Sequence, residues 1–273
     1  MPAAFPSDMN AQSWLWTENR FQPCDSIPLS DRGFRYGMSV FESIMVRSGR
    51  PVFLQEHLLR LSRSCAVCGF DFILPAAEEI ENCLTRSAQT GLARLYVTAG
   101  DGSVATRSEH CRCILFIEPR QPIEQPVYTR GYEVISARGI YHPIFGGLKT
   151  ANYWANIAAL QQACPKDEAL LFNERDELVS ACMANVFVVQ NGIIRTPLPV
   201  CGAREGIVRE WIIRRENVEE CRISRKDLNA ATGIFLTSSW IGIMPAAALD
   251  GKPLSERSAA IQLQAGFEKL SNG

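Results

Sequence analysis

The sequence has few histidines and no long apolar segment. Only three of its 273 residues are histidine, and none lies at zinc-finger spacing from a pair of cysteines. The apolar runs are well below the roughly 18 residues that span a bilayer, and the polar start Met1–Asn10 lacks the pattern of a signal peptide. We therefore expect no metal site and no membrane span, and we expect the protein in the cytoplasm.

Neither sign of charge is in excess. The formal net charge is −1, and 47% of the residues are hydrophobic and 21% charged, as in ordinary globular proteins. This balance gives no general attraction to nucleic acid or to anionic membranes. The expected partner is a small molecule or a second copy of the chain.

Cysteine is abundant, with ten residues, but it is scattered through the chain. Without a secretion signal, this distribution predicts reduced thiols rather than disulfides. Cys65-Ala-Val-Cys68 and Cys111-Arg-Cys113 have the spacing of metal-binding pairs. We interpret Cys65 and Cys68 instead as small residues on the apolar face of a helix.

The length of the chain predicts two lobes, because 273 residues are more than one compact core usually needs. The segment Glu118–Pro126 carries three prolines and is the best candidate for a linker. We predict a small N-terminal α/β lobe over residues 1–120, a linker over 121–127 and a larger C-terminal lobe over 128–273. The fold class is α+β.

Hydrophobic periodicity predicts the elements of both lobes. The clearest is an amphipathic helix that begins at Leu54, repeats apolar residues every three or four positions, and ends at Gly69. Asn191-Gly192 predicts a hairpin turn. The remaining predicted elements are a strand at Ser13–Gln22, a hairpin around Ser48–Pro51, a helix at Ala76–Thr90, and strands at Ala93–Thr98, Cys113–Ile117, Tyr132–Ser136, Ala169–Phe172, Leu178–Val189 and Gly233–Leu236.

Lys149 lies in the segment Gly146–Tyr153, at the predicted start of an alanine-rich helix that runs to about Cys164. An apolar setting lowers the pKa of an ammonium group, and a neutral amine forms a Schiff base with an aldehyde. A lysine that extends into water from a helix end fits the same pattern. The residues alone leave both interpretations open.

A second candidate feature is the glycine-containing segment Cys201–Gly206, which opens a predicted helix at Ile207 and Val208. Free amides at a helix N-terminus, together with the helix dipole, bind phosphate. The hydroxyl groups of Thr237–Ser239 are further donors for the same anion. Glycines and serines are also ordinary loop residues, so this pattern too has two interpretations.

Taken in order, these motifs resemble the class IV, or fold type IV, pyridoxal-phosphate enzymes. That family includes branched-chain aminotransferases, D-amino acid aminotransferases and aminodeoxychorismate lyases. The matching segments are Asp31–Gly37, Val40–Ile44, Glu56–Leu61, Lys149–Tyr153, Asp167–Leu171, Ala184–Phe187, Thr196–Pro197, Gly202–Arg209 and Thr237–Pro245.

The resemblance implies a two-lobed fold with a barrel-like C-terminal lobe, pyridoxal 5′-phosphate (PLP) as cofactor, and a homodimer. It implies that Lys149 forms the Schiff base and moves the Cα proton, and that Arg60 holds the phosphate. It places Tyr36 beside the substrate. The other cofactor-binding residues that it implies are Ser180, Asn185, Ile207, Val208, Ser238 and Ser239.

The sequence departs from the family pattern at three places, one of which is Met38, where an aspartate usually follows Tyr-Gly. Five residues before Asn185 the family has a glutamate that keeps the pyridine nitrogen protonated, whereas this chain has Ser180, so the ring should be a poorer electron sink. The arginine of a carboxylate-binding Thr-Arg-Gly segment is replaced in Thr98–Gly100, which makes a D-amino acid aminotransferase less expected. Arg94, Arg107 and Arg138 are the candidate replacements, and we take Arg94.

Three functions remain. The segments Phe41–Ile44, Cys201–Gly202 and Ser238–Pro245 resemble most closely the aminodeoxychorismate lyase branch, and this lyase activity is the first expectation. The second is an aminotransferase acting on branched-chain or other amino acids. The third is a relative that binds the cofactor but has lost catalysis.

Overall fold

The computed structural model describes residues 12–105, 108 and 110–272. Within them the chain forms two compact units. The N-terminal unit comprises the described residues up to Pro122 together with Leu148–Asn152, and the C-terminal unit comprises Ile123–Gly147 and the residues from Tyr153 onward. Lys149 therefore groups with the N-terminal strands rather than with residues 128–273, to which the sequence had assigned it.

The N-terminal unit is built on an antiparallel sheet of six strands, in the order β2-β1-β6-β5-β3-β4. Three helices accompany it. The strands are β1 (Gln12–Thr17), β2 (Arg20–Pro23), β3 (Ser39–Arg47), β4 (Arg50–Pro51), β5 (Gly91–Thr98) and β6 (Arg112–Pro119), and the helices are α1 (Arg32–Tyr36), α2 (Leu54–Val67) and α3 (Ala77–Ser87).

One face of this sheet forms the core of the unit. Alternate residues of β3, β5 and β6 pack against the apolar faces of α2 and α3, which include Leu61 and Ile80. Cys65 is buried on the face of α2, as interpreted, whereas Cys68 packs against the same core from the C-cap position just after the helix. The predicted single strand Ser13–Gln22 is wrong, because a tight turn at Glu18 and Asn19, both with positive φ, divides it into β1 and β2.

The C-terminal unit contains a mixed sheet of nine strands, in the order β12-β11-β10-β13-β14-β7-β8-β9, with β15 paired to β14. The strands are β7 (Tyr132–Ser136), β8 (Glu168–Phe172), β9 (Leu178–Ala181), β10 (Asn185–Gln190), β11 (Ile193–Pro197), β12 (Val218–Cys221), β13 (Gly233–Ser238), β14 (Gly242–Leu249) and β15 (Lys252–Pro253). The helices are α4 (Gln125–Arg130), α5 (Trp154–Ala163), α6 (Ile207–Ile213) and α7 (Ser258–Asn272).

This sheet curls, and a buried core that includes Leu170, Val186 and Leu236 lies against it. A second apolar cluster lies between β8, β9 and α5. The predicted α+β class, with a curled, barrel-like second sheet, is confirmed.

Three sequence predictions for this unit need correction. The strand Leu178–Val189 is broken at Cys182–Ala184 into β9 and β10. The end of the predicted linker belongs to α4, where Pro126 occupies the first turn, a position at which proline's missing N–H costs nothing. The alanine-rich helix α5 begins at Trp154, so Lys149 precedes the helix rather than starting it.

Three further observations concern the part of the chain that the structure describes. None of its helices is long and apolar enough to cross a membrane. It contains no group of three or more histidine, cysteine, aspartate or glutamate residues arranged to hold a metal ion. All ten cysteines are free thiols.

Candidate active site

Lys149 is held at the edge of strand β3 by backbone pairing. The Phe41 amide donates to the Lys149 carbonyl at 2.9 Å, and the Ala151 amide donates to the Ser39 carbonyl at 3.0 Å. This edge is accessible because β4 pairs only with the far end of β3, at Val46 and Arg47. The half-buried Lys149 side chain places Nζ 4.2 Å from the centre of the Phe41 ring, a cation–π contact.

A buried cluster of ionisable groups lies on the face of β3 opposite to Phe41. Because side chains alternate between the two faces along a strand, this is the face that packs against the helices. The Glu42 carboxylate accepts hydrogen bonds from Arg60 Nε at 2.8 Å and from Arg60 Nη2 at 2.6 Å. It also contacts His57 Nδ1 at 2.7 Å. The side chains of Glu42 and His57 are each 1% exposed and that of Arg60 is 19% exposed.

The charges of this cluster follow from its contacts. Burial alone would raise the pKa of the Glu42 carboxyl, but the guanidinium of Arg60 and the hydrogen bonds it receives hold that pKa well below its ordinary value. For His57 burial dominates and lowers the pKa, against the opposing effect of Glu42. The imidazole is therefore neutral at pH 7. Because an ionised carboxylate only accepts, His57 Nδ1 carries the ring proton and donates it.

The predicted substrate residues occupy different places. Arg94 donates from Nη1 to Ser43 Oγ at 2.8 Å, and its guanidinium carbon lies 5.8 Å from the centre of the Phe41 ring. Arg94 and Lys149 thus both lie close to the same aromatic ring. Tyr36 is 42% exposed at the end of α1. Arg138 is exposed, and Arg107 lies outside the described residues.

The start of α6 forms a tightly packed cradle in the C-terminal unit. Asn185, at the beginning of β10, donates from Nδ2 to the Arg204 carbonyl at 2.7 Å. A Cβ on Gly206 would lie 1.9 Å from Asn185 Oδ1, so only glycine fits before the helix. Ile207 and Val208 occupy the first turn, where amides have no acceptor within the helix, and no side chain caps it.

Hydroxyl groups lie beside this cradle on strand β13. Thr237 is paired directly with Asn185 across the sheet, so the two side chains share a face. Thr237 Oγ1 is buried and has no hydrogen-bond partner within the described part of the chain. Ser238 Oγ accepts from the Ile241 amide at 3.3 Å, and Ser239 is half-buried in the same turn.

Ser180 lies on β9, opposite Leu171 of β8, and is half-buried. The carboxylates near it in the sequence have partners of their own. Glu177 accepts from Asn173 at 2.9 Å and from Arg222 at 2.6 Å, and Asp176 accepts from Arg225 at 2.8 Å. Both carboxylates are therefore engaged by other side chains.

Glu168, on β8, is the buried carboxylate of this region. It accepts hydrogen bonds from the backbone amides of Ala169, Cys182 and Met183, at 2.9 to 3.1 Å. Burial raises the pKa of its carboxyl, and these hydrogen bonds oppose the shift. Glu168 thus stabilises the turn between β9 and β10, and its oxygens are engaged there.

Comparison with known proteins identifies the family. Residues 39–249 match the family model described as amino-transferase class IV. The chain belongs to the class IV aminotransferases. The resemblance inferred from the motifs is thereby confirmed. The predictions of an enzyme and of PLP as its cofactor are confirmed with it.

Individual class IV aminotransferases match at low identity. A putative branched-chain-amino-acid aminotransferase of Methanocaldococcus jannaschii is 28% identical over 247 residues, 85% of each chain. The D-alanine aminotransferase of Staphylococcus epidermidis is 25% identical, over 89% of this chain and 92% of the relative. The crystal structure of 4-amino-4-deoxychorismate lyase from Pseudomonas aeruginosa matches with a TM-score of 0.82 at 25% identity, over 94% and 98% of the two chains.

The residues present fit the cofactor of the class IV aminotransferases. PLP carries an aldehyde and a phosphate, which require an amine and several N–H or O–H donors. Lys149 carries an amine, and the uncapped first turn of α6 has amides without acceptors in the helix. The buried Thr237 hydroxyl lacks a partner in the described structure, as expected of a donor that meets a bound group.

Sequence reasoning gave no role to several residues that contact the candidate ones in this class IV aminotransferase. Glu42 and His57 were inside quoted motifs but had no role, although the spacing of His57 and Arg60 by three places them on one helix face. Arg204 also had none. It reaches the Gly147 carbonyl with Nε and the Tyr153 hydroxyl with Nη1, both at 3.3 Å, and no local pattern predicts such long-range contacts.

Proposed function

We propose that the protein is an aminodeoxychorismate lyase-like enzyme, which releases 4-aminobenzoate and pyruvate from its amino substrate. The observation that carries this proposal is Ser180. A hydroxyl occupies the position of the pyridine-nitrogen glutamate, and the neighbouring carboxylates Asp176 and Glu177 are bound to arginines. The relatives include both lyases and aminotransferases, so the choice between them depends on this residue.

The chemistry of Ser180 favours elimination. PLP, when bound, withdraws electrons from the carbon that carries the substrate amino group. A hydroxyl does not keep a ring nitrogen protonated as a carboxylate does, which weakens that withdrawal. Weaker electron withdrawal slows elimination less, because the electron pair left after proton removal departs with the leaving group. In transamination no group departs with this electron pair, so it must be stabilised until a proton returns. This occurs in each of the two half-reactions of a full cycle.

We assign the following roles to the residues of this chain. Lys149 attaches the cofactor through its amine, takes the proton from the substrate carbon and returns it. Arg60, the amides of Ile207 and Val208, and the hydroxyl of Ser239 bind the phosphate. Three further residues support the cofactor site: Asn185 holds the start of α6, Ser238 closes the turn after β13, and Ser180 faces the ring nitrogen. Arg94 binds the substrate carboxylate, and Tyr36 lies beside the substrate.

The test is direct product detection. Purified protein loaded with PLP is incubated with aminodeoxychorismate, and 4-aminobenzoate and pyruvate are quantified separately. We expect equal amounts of both, and no product from Lys149→Ala. Borohydride reduction followed by peptide mapping should place the cofactor on Lys149. If the wild type attaches PLP but releases no 4-aminobenzoate, the lyase proposal is wrong.

An aminotransferase is the second candidate, supported by the two relatives with that activity. It predicts that an amino donor converts the bound aldehyde to the amine form, which absorbs at shorter wavelength. Branched-chain amino acids and D-alanine are the donors to compare. A relative that binds PLP without catalysis would give neither product nor conversion while remaining folded.

We also propose that the enzyme acts as a homodimer in a reducing compartment, the cytoplasm. The exposed apolar side chains around α1 support the dimer, since Leu29 is 78% exposed and Phe34 64% exposed. The ten free thiols support the compartment. Light scattering during size-exclusion chromatography measures the mass. A monomer at micromolar concentration would contradict the dimer.

A further inference from the structure

The contact between Glu42 and Arg60 fixes the orientation of a guanidinium group. Two parallel hydrogen bonds join the Nε and Nη2 edge of Arg60 to the two carboxylate oxygens, at 2.8 and 2.6 Å. Such a paired contact defines the plane of the guanidinium as well as its position. An arginine held by one bond, or by charge alone, retains rotational freedom that this one has lost.

His57 fixes the carboxylate in turn. Its Nδ1 contacts Glu42 Oε2 at 2.7 Å, and both side chains are almost completely buried. The ring is neutral and donates its proton, so it adds a hydrogen bond without adding charge to the pair. The three side chains are linked in series: His57 orients Glu42, and Glu42 orients Arg60.

The cost of this arrangement suggests a role beyond stability. A buried ion pair often contributes little net stability, because desolvation offsets the attraction, and apolar residues of similar size serve as well. Glu42 is surrounded on β3 by buried apolar neighbours, Val40 and Ile44. An apolar residue at position 42 would pack there but would leave Arg60 without orientation.

We propose that Glu42 and His57 are positioning residues, which hold Arg60 in the orientation that receives the cofactor phosphate. This inference rests on the proposed role of Arg60 and is independent of which reaction follows. It assigns a function to two buried residues that act through Arg60.

The substitution Glu42→Gln separates orientation from charge. If Arg60 acts only through its charge, removing a neighbouring anion leaves the guanidinium more positive toward the phosphate, and PLP binds more tightly. If orientation matters, losing one of the two strong hydrogen bonds weakens binding by about 10-fold or more. The two roles thus predict changes of opposite sign.

The experiment compares two ligands in titrations of the full-length protein freed of cofactor. PLP is one, and 5′-deoxypyridoxal, which has the aldehyde but no phosphate, is the other. We expect Glu42→Gln and His57→Leu to weaken PLP by about 10-fold or more and to leave 5′-deoxypyridoxal unchanged. His57→Asn keeps an N–H donor near the Nδ1 position and should restore most of the affinity.

Ile44→Val is the matched control for a general loss of packing, because Ile44 is buried on the same face of β3 and its apolar side chain makes no hydrogen bond to Arg60. It should change both dissociation constants by the same small factor. The proposal is overturned if Glu42→Gln binds PLP as tightly as the wild type or more tightly. It is also overturned if both ligands weaken equally, which indicates a merely structural role.

The lyase assay and this comparison fail independently. If the wild type releases no product, but Glu42→Gln weakens PLP and leaves 5′-deoxypyridoxal unchanged, the lyase proposal is wrong and the positioning role is supported. If the wild type forms product normally and Glu42→Gln binds PLP as tightly as the wild type, the lyase proposal is supported and the positioning role is wrong.

Discussion

A methyl group on Gly206 would lie 1.9 Å from the side-chain oxygen of Asn185. The backbone at Gly206 has φ −73°, which any residue adopts, so the requirement for glycine is one of space alone. Asn185 cannot move away freely, because its amide also holds the Arg204 carbonyl at 2.7 Å. This contact joins the start of β10 to the start of α6.

Gly206→Ala should therefore displace the first turn of α6. We expect a loss of about 1–3 kcal/mol in the free energy of unfolding, typical of overpacking, and weaker PLP binding in an absorbance titration. Gly266→Ala is the matched control, since its Cβ would meet its nearest neighbour, Trp211, at 3.7 Å. Within helix α7 that change should be neutral or stabilising by up to about 1 kcal/mol. Equal effects at the two positions would contradict the steric argument.

Arg32 should be among the most sensitive polar residues of the N-terminal unit. It is completely buried and donates to the carbonyls of Ala99, Gly100 and Ser103. Arg32→Met leaves these carbonyls without their donors, so we expect a loss of about 3 kcal/mol or more. Urea denaturation monitored by circular dichroism gives the value.

The exposed pair of Arg130 and Asp167 provides the comparison for Arg32. The Arg130 side chain is 51% exposed, so its ion pair is screened by solvent. Arg130→Met should cost less than about 1 kcal/mol. A similar loss of unfolding free energy in Arg32→Met and Arg130→Met would show that burial does not determine the effect of these substitutions.

The buried, neutral His57 predicts sensitivity to acid. Its pKa is lowered from the ordinary value of 6.5 in the folded state, so below pH 6.5 the unfolded chain takes up a proton that the folded chain does not. The free energy of unfolding therefore falls as the pH drops from 6.5, by up to about 1.4 kcal/mol per pH unit for one proton. His57→Asn should remove this part of the slope.

Chemical denaturation of both proteins between pH 5 and 7 measures this effect. The range excludes most of the contribution of Glu42, whose stabilisation is present above its ordinary pKa of 4.5 and is lost below it. Identical slopes for the wild type and His57→Asn would disprove the assignment of a neutral histidine.

Ser180→Glu should shift the enzyme toward transamination. A carboxylate at this position favours a protonated ring nitrogen and stronger electron withdrawal. We expect conversion of the bound aldehyde by amino donors to accelerate on the order of 10-fold, which corresponds to about 1.4 kcal/mol. Single-turnover absorbance measurements follow it. Glu177→Gln is the control, because that carboxylate is bound to Asn173 and Arg222 and should not influence the ring.

Local sequence patterns predicted much of the fold. The three- and four-residue repeats from Leu54 give α2 within two residues of its end, and Asn191-Gly192 forms the turn between β10 and β11. The errors occurred where long-range pairing overrides local pattern. The apolar run Leu178–Val189 reads as one strand, but Glu168 of the neighbouring strand binds the amides of Cys182 and Met183 and holds the chain in a turn.

The candidate site divides in the same way. The order of motifs, the lysine and the serine at position 180 were apparent in the sequence because they are identities of residues at fixed spacings. Arg60 was recognised from its motif, but its carboxylate partner lies 18 residues earlier on another element. The pairing between the Lys149 segment and β3 spans more than a hundred residues, and no local pattern encodes it.

The sequence by itself determined that this chain is a class IV aminotransferase and that it has Ser180 five residues before Asn185. The reason is that family membership and the presence of Ser180 depend only on which residues occur, in what order. The tertiary structure alone decided that Lys149 lies on the edge of β3 and that the carboxylates of Asp176 and Glu177 are bound to arginines. It also decided that Glu42 and His57 hold Arg60. These facts depend on strand register and helix packing, which bring together residues far apart in the chain.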